Sequence, residues 1–229
     1  CTPYTVHYAY DTVALARGTG GTIVKQGGKN WYFMTADYAF GHSLEKDTAE
    51  VVKAAGGKVL GSVKHPLGAS DFSSFLLQAQ ASKPQILGLA NAGGDAINSI
   101  KAANEFGLTK SMKLAGLLIF INDIHSRGLN LTQGMYLTDG WYWNQSPESR
   151  AWARRFFDKF KRMPSMIQAG NYSLTMQYLT AVKAAGTDDA DAVMAQLKKQ
   201  KINDMFAKGG YIRPDGRMVP PVPIVLPLS

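Results

Sequence analysis

The sequence predicts an α/β protein organised on a doubly wound, mostly parallel sheet, and three observations carry that expectation. Short apolar runs of strand length at 30–35, 58–64, 86–90, 113–118 and 134–138 alternate with longer stretches whose apolar residues recur at helical spacing. Glycine or proline marks the junctions, as at Gly27-Gly28, Gly56-Gly57, Pro84 and Gly107. The connections between successive runs are long enough for a helical crossover, which parallel strands require.

Residues 1–21 open with Pro3 and an alternating Thr5-Val6-His7-Tyr8-Ala9-Tyr10, read as an extended segment entering a helix. Asp11 or Thr12 caps that helix, Val13, Leu15 and Ala16 give it apolar content, and Gly18 to Gly21 are expected to weaken or end it. The same glycines do not form a phosphate loop, because no strand ends just before them and no Gly-Lys-Ser/Thr closes them.

The first strand, Asn30-Trp31-Tyr32-Phe33-Met34-Thr35, is aromatic at its centre, which suits a strand covered on both faces. It runs into the aromatic loop Ala36-Asp37-Tyr38-Ala39-Phe40-Gly41. Loops at the carboxyl ends of parallel strands line the ligand crevice of such sheets, so Tyr38 and Phe40 are candidates to touch a ligand. The alternative is that both rings pack beneath the loop.

A helix follows with Leu44, Thr48, Val51, Val52 and Ala55, closed by Gly56-Gly57, and then a strand from Lys58 to Lys64. Asp71 caps a helix carrying Phe72, Phe75, Leu76 and Ala79, which Pro84 terminates. Ile86 to Ala90 is the third strand, Asn91-Ala92-Gly93-Gly94 the turn, and Ile97, Ile100, Ala103 and Phe106 the helix that Gly107 ends. Strand four runs from Lys113 to about Leu118, Ile119 to Leu131 is irregular or briefly helical, and Gly134 to Thr138 is strand five.

Beyond Asp139-Gly140 helix follows helix. Ser146 caps and Pro147 begins a helix with the stripe Trp152, Phe156 and Phe160, ended by Pro164. A second carries Tyr172, Met176, Leu179 and Val182 and stops at Gly186. A third starts near Thr187, places Asp188 and Asp189 at its positive end and Lys198 and Lys199 at its negative end, and buries Val193, Met194 and Leu197. These helices either cover the preceding sheet or belong to a second sheet whose strands lie elsewhere, and the second arrangement is the one expected. Trp141-Tyr142-Trp143 reads as a crossing strand, and the tail with Pro220, Pro221, Pro223 and Pro227 as a poor central one.

Composition narrows the function. Of 229 residues, 45% are hydrophobic and 18% charged, which is ordinary for a globular chain, and no run reaches the ~18 apolar residues of a membrane-spanning helix. The net charge of +8 is spread along the chain. Its densest cluster, Arg154-Arg155 with Lys159, Lys161 and Arg162, reads as a solvated helix face rather than a nucleic-acid surface. The four histidines fall on separate segments, which argues against a metal site, and no Gly-x-Ser-x-Gly elbow is present. Asp37 and His42 offer acid–base chemistry in principle, but helix capping accounts for Asp37 without a reaction. Cys1 is either half of a bridge to a segment outside the chain or a free thiol. A crevice with aromatics and no catalytic set points to binding.

Taken in order, five stretches make the chain resemble a known family: Thr35-Ala36-Asp37-Tyr38-Ala39-Phe40-Gly41, Asp71-Phe72-Ser73, Ala102-Ala103-Asn104-Glu105-Phe106-Gly107-Leu108, Gln133-Gly134-Met135 and Gly209-Gly210-Tyr211-Ile212-Arg213-Pro214-Asp215-Gly216. The family is the periplasmic solute-binding proteins of branched-chain amino-acid (leucine/isoleucine/valine-binding) type ABC transporters. Within it the chain is most similar to members that bind aromatic acids and related carboxylates. The likeness extends to Val219, after which the family's polar and aromatic strand is replaced here by prolines.

The resemblance implies a type I periplasmic binding protein, two Rossmann-like α/β lobes joined by a hinge, with the N-terminal part of lobe one missing from this chain. Residues 1–21 would end lobe one and cross the hinge, 22–138 form lobe two, 139–206 return as the helical second part of lobe one, and 207–229 make the return segment and tail. The missing part would hold the partner strands of the helices after Gly140 and the Ser/Thr-bearing loop with which members grip the ligand carboxylate. The implied ligand-binding residues are Phe40 with Tyr38 close by, Ala92 and Gly93 in the turn after the third strand, and Leu118. Tyr172, from the opposite lobe, is either an aromatic wall or a core residue of its helix.

Amino-acid binders carry an acid near the position of Leu118, whereas this chain reads Gly116-Leu117-Leu118-Ile119-Phe120. Burying an ammonium there without a counter-ion costs on the order of a few kcal/mol, which favours an acid or amide lacking the ammonium. The implied function is periplasmic binding of a small aromatic or branched aliphatic carboxylate and its delivery to the membrane permease of an ABC transporter. No reaction, cofactor, nucleic acid or membrane insertion is implied. The alternatives are a ligand sensor or amide-binding regulator on the same fold, and a branched-chain amino-acid binder.

Overall fold

Three consecutive aromatic residues suit β1, Asn30–Ala36, to an inner strand covered on both faces, and it is buried at every residue after Asn30. The structure is a computed structural model and describes residues 2–8, 10–127, 129–219 and 224–227. Cys1 and the prolines at 220, 221 and 223 therefore lie outside the described residues. Contacts divide the chain into two units: Asp11–Asp139 with Val225–Ser229, and Cys1–Tyr10 with Gly140–Ile224.

In the first unit β1 pairs in parallel with β2, Lys58–His65, on one side and β3, Ile86–Ala90, on the other. Parallel pairing continues to β4, Lys113–Gly116, and β5, Tyr136–Asp139. The tail adds β9, Ile224–Pro227, giving the order β2-β1-β3-β4-β5-β9. The expected doubly wound sheet is thus the one found, and the proline-bearing tail takes its edge, where a missing ladder donor is tolerated. The chain winds outward from β1 to β2, then returns past β1 to β3. Strand order therefore reverses between β1 and β3.

The glycines at 18–21 do not end the first helix. α1, Thr12–Leu15, continues through a π-helical segment, Ala16–Gly20, into α2, Gly21–Lys25. The reason is close packing: a Cβ at Gly18 would lie 2.2 Å from Thr138 Oγ1, and Thr19 Oγ1 meets Thr138 Oγ1 at 2.8 Å. Seating this helix on β5 outweighs the ~1 kcal/mol helix penalty of each glycine.

The crossovers form as expected: α3, Ala39–Ala54, α4, Ser73–Ala81, and α5, Gly93–Glu105. Asp71 Oδ1 accepts the Ser73 N–H at 2.8 Å and opens α4, while Gly107 at φ 68° ends the turn after α5. α6, Ile121–Arg127, is the brief helix of the irregular stretch. Phe106 departs from the buried stripe expected of it: it falls past the end of α5 and is 52% exposed. Met34, Leu76, Leu87, Leu89, Ile100 and Leu114 centre the core on one face of the sheet.

The second unit holds α7, Pro147–Phe160, α8, Met166–Ala185, and α9, Ala190–Lys199. With them is an antiparallel sheet of β6, Ile202–Asn203, β7, Lys208–Ile212, and β8, Met218–Val219, ordered β6-β7-β8. Ser146 and Ser165 cap α7 and α8 through their side chains, the latter as a capping box with Gln168.

Two expectations are corrected here. Trp141-Tyr142-Trp143 is not a strand. Trp141 is instead buried, donates from Nε1 to the Met205 carbonyl at 2.9 Å and meets Trp152 edge-on. The helix stripes are also displaced. Phe160 and the α8 residues Tyr172, Met176 and Leu179 are exposed, and α8 buries Met166, Ala169, Ser173 and Ala181. Small residues let that helix pack closely, so the larger apolar residues lie on its other side.

Candidate functional site

In an open parallel sheet the natural ligand position is where strand order reverses, outside the carboxyl ends of the strands. Here that is the pair β1 and β3, held in register by Thr35 opposite Ala90. Each strand leads within two or three residues into a helix, α3 after Ala36 and α5 after Ala90. The N-cap residues Tyr38 and Ala92 are both extended, at φ −155° and −151°, and neither helix start has a side-chain cap. Two first turns of uncapped N–H groups, at adjacent strand ends, favour an anionic group electrostatically.

Packing fixes these helix starts differently. A Cβ at Gly41 would lie 2.1 Å from the Ala36 carbonyl oxygen and 3.2 Å from that of Ala90, so α3 sits directly on both strand ends. At Gly93, φ 54°, and at Gly94 a Cβ would meet nothing within 4 Å. The first turn of α5 faces open space. Tyr38, the N-cap of α3 and 36% exposed, and Phe40, in its first turn and half-buried, have ring centroids 5.9 Å apart and planes tilted by 40°.

The structure therefore brings four sequence-expected residues, Tyr38, Phe40, Ala92 and Gly93, to the β1–β3 strand ends. Phe40 lies in the first turn of α3 rather than in a loop. Leu118 follows β4 and is buried, as are its neighbours Leu117 and Ile119. Tyr172 belongs to the other unit, where it is 39% exposed and its ring lies 5.4 Å from that of Trp152. Asp37 Oδ1 and His42 Nε2 are within hydrogen-bond distance, 2.7 Å, on the exposed surface at the start of α3.

Sequence reading missed a group of buried polar residues at the ends of β2 and β3 and the start of α5. Asn91, fully buried at the end of β3, donates from Nδ2 to His65 Nε2 at 3.1 Å and to Ser99 Oγ at 3.1 Å. His65, fully buried at the end of β2, donates from Nδ1 to the Pro66 carbonyl at 2.9 Å and packs edge-on against Phe72. Asp95, in the first turn of α5 and 9% exposed, accepts the Gly68 N–H on Oδ2 at 3.1 Å. Burial, and then the nearby Asp95 carboxylate, hold the Tyr38 phenol above its ordinary range. Asp95 follows two glycines at a helix start, the usual place for an acid that merely suits the dipole, so its sequence position was no signal of a site.

Among the described residues, no three His, Cys, Asp or Glu side chains gather where a metal could be held, and no helix is long and apolar enough to cross a membrane. What the strand ends do present is aromatic surface, backbone donors and one buried carboxylate.

A doubly wound α/β domain with an open turn at its switch point is the fold class in which ligand sites, where present, lie outside the strand ends. The chain belongs to the periplasmic binding protein family, whose profile matches residues 1–225. It is 70% identical to a periplasmic binding protein from Burkholderia mallei, with a TM-score of 0.93 over 96% of this chain and 58% of that one. It is 37% identical to a branched chain amino acid ABC transporter periplasmic ligand-binding protein from Burkholderia xenovorans, with a TM-score of 0.83 over 96% and 59%. A solute binding protein of an ABC transporter from Rhodopseudomonas palustris, solved with 3,4-dihydroxybenzoic acid, shares the fold at 23% identity, with a TM-score of 0.86 over 96% and 61%. The chain thus spans less than two thirds of the length of these relatives. A search of curated proteins found no match. The type I periplasmic binding fold expected from the sequence is the fold these comparisons show.

Proposed function

We propose that the chain is the ligand-binding part of a periplasmic solute-binding protein that takes up a small organic acid, aromatic or branched aliphatic, and passes it to the membrane permease of an ABC transporter. The observation that carries this reading is the pair of uncapped helix starts at the β1–β3 switch point, with the paired rings of Tyr38 and Phe40 at one of them. Uncapped first-turn N–H groups attract a carboxylate, and the rings supply the apolar contact that small-ligand sites depend on. It performs no reaction, since binding and release are the whole of its task. Its relatives, described as ABC transporter ligand-binding proteins, support the same reading.

A second reading, a branched-chain amino-acid binder, has one observation in its favour: Asp95 is a buried carboxylate that an ammonium would neutralise. Thermal shift against a panel of aromatic acids, branched aliphatic acids and leucine separates the two. Stabilisation by an acid and none by leucine is expected. Stabilisation by leucine above every acid would establish the second reading, and no response to any member would remove both.

A further inference from the structure

We infer that Asp95 is a specificity residue that accepts a hydrogen bond from the ligand, so that the ligand carries a donor group, a hydroxyl or an ammonium, in addition to its acid. The inference rests on the proposed occupation of the β1–β3 strand ends. In the strand order β2-β1-β3, Asp95 stands on the helix that follows β3 and Gly68 on the segment that follows β2. The 3.1 Å bond between them therefore passes over the end of β1, where Ala36 leads into Tyr38. Asp95 is held at the floor of the candidate site rather than on the outer face of its helix.

Oδ2 of that carboxylate is engaged by Gly68, and Oδ1, to which no described residue donates, is not sealed from solvent. A carboxylate 9% exposed has surrendered most of its water, and its solvent-facing Oδ1 is an acceptor that a donor from the ligand can take up in place of water. The adjoining turn leaves room for that donor, since Gly93 and Gly94 carry no side chain and face open space. A ligand of acid character alone would find the same charge repulsive. Asp95 thus selects among acids, rejecting those without a donor pole and accepting hydroxy acids or amino acids.

The test is calorimetric titration of the chain with matched pairs: benzoate against 4-hydroxybenzoate, and 4-methylvalerate against 2-hydroxy-4-methylvalerate and leucine. The donor-bearing member of at least one set is expected to bind about tenfold more tightly or better, the usual effect of a hydrogen bond to a charged group. The hydroxyl and ammonium arms show which donor is used. In Asp95→Asn, whose amide oxygen still accepts the Gly68 N–H, that preference should fall to about threefold or less. Equal affinities within every pair in the unaltered chain would overturn the inference while leaving an acid-binding function intact. So would an Asn variant that weakens both members of a pair alike, because that is the mark of a structural role. Failure of every acid and of leucine to bind would overturn the proposed function and the inference with it.

Discussion

Asp95 and Gly68 are joined by a 3.1 Å hydrogen bond that ties the first turn of α5 to the segment leaving β2, across the end of the strand between them. The bond makes a testable demand on stability. Asp95→Ala leaves the Gly68 N–H without its partner and should cost about 1–2 kcal/mol, whereas Asp95→Asn keeps an acceptor in place and should cost less than about 1 kcal/mol. Urea unfolding of the two variants checks the order, and an Ala variant as stable as the Asn variant would show that Gly68 is content with water.

Gly41 and Gly94 stand in the first turns of neighbouring helices and should respond oppositely to alanine. At Gly41 the new methyl collides with the Ala36 carbonyl at 2.1 Å, so Gly41→Ala should lose about 1–3 kcal/mol as α3 is pushed off the strand ends. At Gly94 it meets open space, and Gly94→Ala should be neutral or gain up to about 1 kcal/mol. If the open turn is where the ligand lies, Gly94→Ala should nonetheless weaken ligand binding. A thermal shift with and without the bound acid reads both effects.

The rings offer a third prediction. Phe40→Ala should weaken binding of an acid about tenfold or more by removing one half of the Tyr38–Phe40 pair, since a well-packed aromatic contact contributes on the order of 1–3 kcal/mol. Titration calorimetry of the variant checks this, and unchanged affinity would remove Phe40 from the site.

What the sequence disclosed follows from which signals are local. β1 was legible because seven consecutive residues with aromatics at the centre can be satisfied only by burial on both faces, and the Gly107 stop was legible because its positive φ is a local demand. The helix through Gly18–Gly21 was not, because its stability comes from contact with Thr138, far along the chain. The face of α8 was misjudged because Tyr172, Met176 and Leu179 recur at helical spacing just as a buried stripe does, while the residues that pack are the small Ala169, Ser173 and Ala181. At the site, Tyr38 and Ala92 followed from strand ends alone. Asp95, His65 and Asn91 required the strand order, since β2 and β3 become neighbours of β1 only in the folded sheet.

Tyr8 gives the last prediction, one of sign. Its hydroxyl donates to Ser173 Oγ at 2.7 Å, and Ser173 in turn donates to Asp204 Oδ2 at 2.6 Å, so the phenol sits at the head of a buried chain that ends on a carboxylate. Burial, with a smaller push from the Asp204 charge, raises the phenol's pKa well above its ordinary value, against a lowering by the Ser173 bond. A raised folded-state value means that the folded chain holds the proton more tightly than the unfolded one. The associated stability is fully present below the unfolded value of about 10 and is lost as pH rises from there toward the folded value. Urea unfolding should therefore show stability falling above about pH 10, with part of that fall absent in Tyr8→Phe. Below pH 9 the variant should be about 1 kcal/mol less stable, the usual worth of the hydrogen bond it lacks. Identical pH profiles for the two proteins would place the alkaline loss elsewhere and leave Tyr8 a packing residue.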